Sequence, residues 1–458
     1  MYLSTQKKLT IPCQFLNLAV AKESIMAEPA VMNRKFENSS TFAKGLDGQD
    51  PLRDFRERFY FPLVNGREAI YFTGNSLGLQ PRQTQDYVLR ELEDWASYGV
   101  EGHFHADIPW YHYKEFLSGP VARLLGAKQE EVVVMNSLTV NLHLLLVSFY
   151  RPTKSRYKII CEYDAFPSDL YAVQSQASFH GFNSDDAVIY LKPRSGEYCL
   201  RTEDILKAIQ DAGDSLATVM LGAVNYYTGQ YFELEKIATA AHAAGATCGF
   251  NLAHAAGNVV MNLHDWNVDY ACFCSYKYLN AGPGGVSGIF VHEKHFGQNL
   301  PQFAGWWGND PETRFTMPRK FVPVKSAAAW ALSNDPILPM ASLKSSLDLF
   351  EQAGIENLRV KSEMLTGYLE FIIGALNRKA GTTKLEIITP KEPSQRGCQL
   401  SIIAHGPGKD LHNRLTSAGV VCDWREPNVI RAAPVPLYNS FEDVFRFGEI
   451  LESILFHD

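Results

Sequence analysis

The chain has 458 residues, of which 20% are charged and 46% hydrophobic, and its formal net charge at pH 7 is −7. That length exceeds what a single hydrophobic core holds and predicts two domains, and the composition is that of a globular protein. The acidic balance and the absence of a Lys/Arg cluster exclude a nucleic-acid surface, no apolar run is long enough for a bilayer, and eight unevenly spaced cysteines suggest reduced thiols in a cytoplasmic protein.

Residues 1–36 differ in composition from the rest. Lys7-Lys8 followed by LTIPCQFLNLAVA loosely imitates a secretory signal, but Pro12, Gln14 and Asn17 interrupt its apolar stretch. A disordered leader is expected, or a start assigned too early, with Met26 or Met32 as later starts. Asp50-Pro51-Leu52 opens a helix-like segment. A short strand over Glu68–Phe72 then ends at Gly74-Asn75-Ser76-Leu77-Gly78, a turn flexible enough to approach a ligand closely. After Pro81 the spacing predicts a helix with Val88, Leu92 and Trp95 on one face. The next segment holds His103, His105 and His112. Their spacing suits neither a helix pair nor a zinc finger, the first two are placed in a loop, and no metal site is expected.

Glu131–Met135 reads as a strand, and Asn136-Ser137-Leu138-Thr139 starts an apolar helix through Phe149. Ser137 or Thr139 is a candidate cap, and free N–H groups at such a helix start can hold a phosphate without a basic residue. A strand at Tyr157–Glu162 leads to Ala165-Phe166-Pro167-Ser168-Asp169, where Pro presets the backbone of a new helix and Ser or Asp caps it. A strand at Thr218–Asn225 contains Gly222. A helix at Leu234–Ala244 follows, with Leu234, Ile237, Ala238 and Ala241 inward and Gly245 closing it. With the strand Ala246–Asn251 this makes a βαβ unit. Repetition of the unit gives an open, largely parallel sheet with its ligand at the carboxyl ends of the strands, where Asn251 and Lys277 fall.

The strand Tyr270–Ser275 runs into Tyr276-Lys277-Tyr278 and then Gly282-Pro283-Gly284-Gly285. A lysine at the end of an apolar strand is withdrawn from water, which lowers its pKa and suits Schiff-base chemistry. Cys272 and Cys274 read as buried packing. Beyond Ser333-Asn334-Asp335-Pro336 the composition turns helical, with Leu343, Leu347 and Phe350 on one face, and an amphipathic helix from Phe441 ends the chain. Arg431 lies in the strand-like NVIRAAPVP. A partly buried arginine needs an acidic partner, and a structural ion pair or a substrate carboxylate would each serve.

The run SYKYLNAGPGG, with NLAHAAGN upstream, resembles the kynureninase family, pyridoxal-phosphate (PLP) enzymes of the aspartate-aminotransferase fold. YFTGNSLGLQP, NSLTVNLHLLL, AFPSDLYA, YYTGQ, GWWG, SNDPIL and NVIRAAPVPLYNSFEDV extend the likeness, in order, over residues 37 to 458. The resemblance implies an α/β fold: a PLP-dependent transferase-like large domain (81–335) with a mostly parallel sheet, and a smaller α+β C-terminal domain (336–458) on which segment 37–80 packs. It implies hydrolysis of L-kynurenine and/or its 3-hydroxy form to anthranilate or 3-hydroxyanthranilate plus L-alanine, a step of tryptophan degradation toward NAD precursors. Lys277 would carry the cofactor and move the substrate's α-proton, with Tyr276 as proton donor or phosphate ligand. The phosphate would lie beside Leu138 and Thr139, and the Phe166 ring would stack on the pyridine. Ser168, Asp169, Gly222, Asn251 and His254 would lie against the cofactor. Trp306 and Asn334 would complete the cofactor site and its aromatic end from the second subunit of a homodimer, while Ser76, His103 and Arg431 would meet the substrate. No nucleic-acid or membrane partner is implied.

One position departs from the family pattern. The family places aspartate in a DLAH setting, where it pairs with the cofactor's ring nitrogen; here the chain reads Asn251-Leu252-Ala253-His254. A carboxylate keeps that nitrogen protonated and the ring electron-withdrawing, whereas asparagine offers a hydrogen bond without counter-charge. Cofactor binding is expected to survive and turnover to fall by several powers of ten if several kcal/mol are lost, with His254 a compensating proton source. Two rival readings remain: another enzyme of this fold, desulfurase-like or transaminase-like, and a PLP-binding protein with little catalysis.

Overall fold

The structure, a computed structural model, describes residues 35–406 and 408–456, so the leader expectation at 1–36 falls almost wholly outside the described residues. Seven strands form the main sheet: β1 (Val132–Val134), β2 (Lys158–Glu162), β3 (Val188–Leu191), β4 (Leu216–Gly222), β5 (Thr247–Asn251), β6 (Tyr270–Phe273) and β7 (Gly288–Val291). Their order is β1-β7-β6-β5-β4-β2-β3. β7 runs antiparallel to both neighbours, and the other pairings are parallel. The strands read as continuous apolar runs because helices cover both faces. Alternation then divides each strand between two cores: Val132 and Val134 go to one face and Val133 to the other, as do Ile160 and Ile159. Gly222 lies opposite Asn251, and Asn251 opposite Cys272, so the strand ends converge at one edge.

The helix expected after Pro81 spans Thr84–Tyr98, with Val88 half-buried against the main core. It buries Glu91, which is 2% exposed and accepts a 2.8 Å hydrogen bond from the Trp110 indole, while Leu92 and Trp95 are 38% and 62% exposed. A satisfied carboxylate can be buried, and Leu92 and Trp95 are left facing outward. His103 and His105 lie on a one-turn helix, Gly102–His105, rather than in a loop.

A second, antiparallel sheet comprises β8 (Leu385–Ile387), β9 (Leu400–Ala404), β10 (Asp423–Arg425) and β11 (Val429–Ala432), in the order β8-β9-β11-β10. The 26-residue helix Ile355–Ala380 and the last helix, Phe441–Phe456, share its core. The helix Ser40–Gln49 packs on that last helix, and its Asp47 accepts the Phe441 and Glu442 N–H groups at 2.7 and 2.9 Å, holding negative charge at a helix start. Among the described residues, no helix is long and apolar enough to cross a membrane.

One buried charge ties the main sheet together. Asp269, just before β6, receives His242, His295 and Lys294 at 2.8 Å each and the Cys248 N–H at 2.7 Å. Burial opposes its ionisation, but the donors outweigh burial and hold the carboxyl well below the usual range. A depressed carboxylate contributes stability above its unfolded pKa, and that contribution is lost as pH falls through the folded value. Asp269→Asn is therefore expected to cost about 3 kcal/mol at neutral pH, with the difference shrinking in acid, as chemical denaturation at several pH values measures.

Candidate active site

The carboxyl ends of β2, β4 and β5, the starts of the helices Leu138–Phe149 and Pro167–Phe179, and the segment after β6 enclose a cavity of about 200 Å³. Lys277 reaches it four residues beyond the end of β6. The segment is braced from behind by the 74–78 turn: Gly78 N–H donates to the Tyr276 carbonyl at 2.9 Å, and a Cβ at Gly78 would overlap the Lys277 carbonyl. This close approach is the turn's use for glycine.

Lys277 Nζ lies 3.0 Å from His254 Nε2. Burial lowers the lysine's pKa, with the Arg431 and Arg425 charges adding to it against Cys274 and Asp169. Burial, then the neighbouring Lys277 charge, keeps the His254 imidazole neutral at pH 7. Its Nδ1 is buried with no hydrogen-bond partner among the described residues, an unfilled polar position on the cavity wall.

Asn251, the last residue of β5, donates from Nδ2 to both Asp169 carboxylate oxygens at 2.9 Å, while its Oδ1 accepts from Ala253 N–H at 2.9 Å. Burial raises the Asp169 carboxyl to about 6, against the Asn251 hydrogen bond and the Lys277 charge. Glu162, at the end of β2, accepts the Gly222 N–H, yet burial pushes it up to about 8 and keeps it protonated at neutral pH. The Phe166 ring sits edge-on to Tyr226, with Lys277 Nζ 5.8 Å from its centroid.

At the 138–149 helix start, Asn136 takes φ 50° and Ser137 the extended N-cap conformation, but the Ser137 hydroxyl makes no cap bond. Thr139 lies within the first turn, so neither candidate caps the helix, and its first N–H groups stay available beside the cavity.

The cavity thus brings together Leu138, Thr139, Phe166, Ser168, Asp169, Gly222, Asn251, His254, Tyr276 and Lys277. Ser76, His103, Trp306, Asn334 and Arg431 are not on its wall. His103 turns back to the Val100 carbonyl at 3.0 Å, and Trp306, 43% exposed, bonds the Arg314 carbonyl at 3.2 Å. Arg431 is 1% exposed. Its acidic partner is Asp423, directly across the β10/β11 pairing at 2.8 Å, and its Nη1 donates to the Tyr226 carbonyl at 2.7 Å. Its Nε has no hydrogen-bond partner among the described residues.

Sequence reasoning missed Glu162 and Arg425. Arg425, 3.2 Å from the same Asp423 carboxylate, could have been found from its place two residues after Asp423, on the same strand face. It also missed the cluster of Glu131, His264 and His292, whose ligand atoms lie within 4.8 Å of one another. These atoms are already engaged. Glu131 accepts from His264 and from the Lys128 and Glu293 N–H groups, and His292 Nδ1 accepts from Lys294 N–H.

Residues 70–380 match the family described as Aminotransferase class-V, and residues 358–451 match the Kynureninase C-terminal domain. A kynureninase from Flavobacterium psychrophilum is 54% identical over 418 residues, covering 91% of this chain and 98% of its own. One from Myxococcus xanthus is 55% identical over 419 residues (91% and 97%), and the one from Homo sapiens 49% over 426 residues (90% and 92%). Among solved structures, an apo cysteine desulfurase from Thermococcus onnurineus NA1 superposes with a TM-score of 0.71 at 20% identity, over 88% of this chain and 97% of that one, a likeness of fold alone. With relatives about half identical over nine-tenths of its length, the chain belongs to the kynureninase family.

Proposed function

We propose that this enzyme hydrolyses L-kynurenine and/or 3-hydroxy-L-kynurenine to the corresponding anthranilate and L-alanine, using pyridoxal 5′-phosphate attached at Lys277. The observation that carries the reading is a withdrawn lysine, 3.0 Å from a neutral imidazole, in a cavity walled by a helix start that no side chain caps. The residues fit the cofactor. Free N–H groups at Leu138 and Thr139 suit a phosphate, the Phe166 face suits an aromatic ring, and the orphaned Nδ1 of His254 leaves a polar group to be met.

The cofactor, when bound, supplies an electron sink for the negative charge left on the substrate's carbon skeleton. Lys277 would hold the cofactor and is placed as the base that moves the α-proton, and burial, which lowers its pKa, favours the neutral, proton-accepting amine. Tyr276, on the cavity wall, holds its phenolic proton and serves as donor to the substrate or as a phosphate contact. Arg431 and Arg425 share a single Asp423, so the group keeps one net positive charge for the substrate carboxylate. Ser76 stands within the turn that braces the Lys277 segment and is assigned to the substrate with His103.

The exposed stripe of Leu89, Leu92 and Trp95 and the exposed Trp306 and Asn334 support a homodimer in which Trp306 and Asn334 complete the neighbour's site. We divide the chain into segment 37–80, a large domain 81–335 and a small domain 336–458, one sheet in each of the latter two. Tryptophan degradation in the cytoplasm follows from the substrate and the reduced thiols. A desulfurase needs a mobile-loop cysteine; all seven described cysteines are free and six are buried.

The test incubates the purified protein with PLP, then with borohydride, and maps the labelled peptide. In parallel, anthranilate and alanine are assayed from kynurenine and sulfide from cysteine. Label on Lys277 with anthranilate and alanine in equal amounts is expected. Sulfide release without kynurenine cleavage would sink the proposal, and label without any turnover would favour a binding protein.

A further inference from the structure

The family's carboxylate is missing at position 251, yet the cavity does not lack negative charge. Two carboxyl groups line it, Glu162 and Asp169. Glu162 keeps its proton at pH 7 because its burial is met only by neutral donors. Asp169 sits at the first turn of the 167–179 helix, where the dipole favours an anion, and receives the Asn251 amide on both oxygens at 2.9 Å. The Asn251 amide is oriented for this task, since its Oδ1 is held by the Ala253 N–H and its Nδ2 must therefore face Asp169.

We propose that Asp169 supplies the negative charge that the family pattern assigns to position 251, and that Asn251 holds it in place by its amide. The proposal rests on the reading of this cavity as the PLP site. It revises the expectation that Asn251 strips the site of its counter-charge: Asp169, in the family-like AFPSDLYA run, remains as an ionisable carboxyl one hydrogen bond away from Asn251. The groups facing Asp169 agree with this. From β2 come Glu162 and the Cys161 thiol, both neutral, and from β6 the Cys272 thiol, also neutral. From the segment after β6 comes Lys277, whose charge favours an ionised Asp169. Among the described residues no other ionised carboxylate lines the cavity, and a cationic ring placed there would find its counter-ion in Asp169.

The test uses full-length protein with aspartate labelled at the side-chain carboxyl carbon, first freed of cofactor and then saturated with PLP. One buried carboxyl is expected to titrate near pH 6 without cofactor, to vanish in Asp169→Asn, and to stay ionised at least about one pH unit lower once PLP is bound. In kinetics, Asp169→Asn is expected to lower kcat about 100-fold, and the double variant Asp169→Asn/Asn251→Asp, which puts the carboxylate on the other partner, to regain most of it. A titration that PLP binding leaves unmoved overturns the inference while the proposed function stands, and so does a double variant no better than the single one. If Asp169→Asn fails to fold, the wild-type titration with and without PLP decides alone. A protein that takes up no PLP at Lys277 overturns both readings.

Discussion

Lys277→Ala is expected to lower kynurenine turnover on the order of 10⁴-fold or more while leaving the fold intact. The ε-amine is the covalent attachment point and the base that moves the α-proton, and both roles vanish with one side chain. Stability should change by about 1 kcal/mol at most, because the lost contact to His254 Nε2 is offset by removing an ammonium that burial already destabilises. The checks are steady-state kinetics, borohydride labelling and thermal melting on one preparation. A variant that keeps a tenth of wild-type turnover would remove Lys277 from the chemistry. A partial return of activity with added methylamine would show that the missing amine, rather than a distorted cavity, is the cause.

The main sheet was legible because strands covered on both faces must be apolar throughout, and because Gly222, Asn251 and the lysine segment all stand at carboxyl ends. Strand limits read a few residues long where side chains end the ladder: the expected strand to Asn225 stops at Gly222, and the Asn225 carbonyl oxygen of the side chain caps the Tyr227 and Thr228 N–H groups. For the helix over Thr84–Tyr98, periodicity finds an apolar stripe without saying what covers it. The inward partner is a carboxylate satisfied by Trp110, 19 residues away. The pairing of Asp169 with Asn251 was not legible either, since it joins a helix start and a strand end 82 residues apart through a parallel sheet register. Trp306 and Asn334 were named by family likeness and are absent from this chain's own cavity wall.

Arg431→Lys is expected to raise the KM for kynurenine about 100-fold and to change kcat less than tenfold. Lysine keeps the charge but loses the planar fork, and the buried arginine already commits Nη1 to the Tyr226 carbonyl and Nη2 to Asp423. Its unpartnered Nε is the donor left for a carboxylate, and an ammonium, with all its donors on one nitrogen, cannot span the three directions that the guanidinium does. The sequence left open whether this arginine is a structural ion pair or a substrate anchor, and the geometry separates the outcomes. If pairing with Asp423 were its whole role, Arg431→Lys would lower the melting temperature and leave KM unchanged. Because Arg425 stays 3.2 Å from Asp423, the carboxylate would not be stranded, and the stability loss should fall below the ~3 kcal/mol of a fully broken buried pair. Asp423→Asn makes the converse case. It removes the neutralising partner from two arginines, so stability should drop while KM holds or falls, and a rise in KM there would mean that Asp423 positions Arg431 for the substrate.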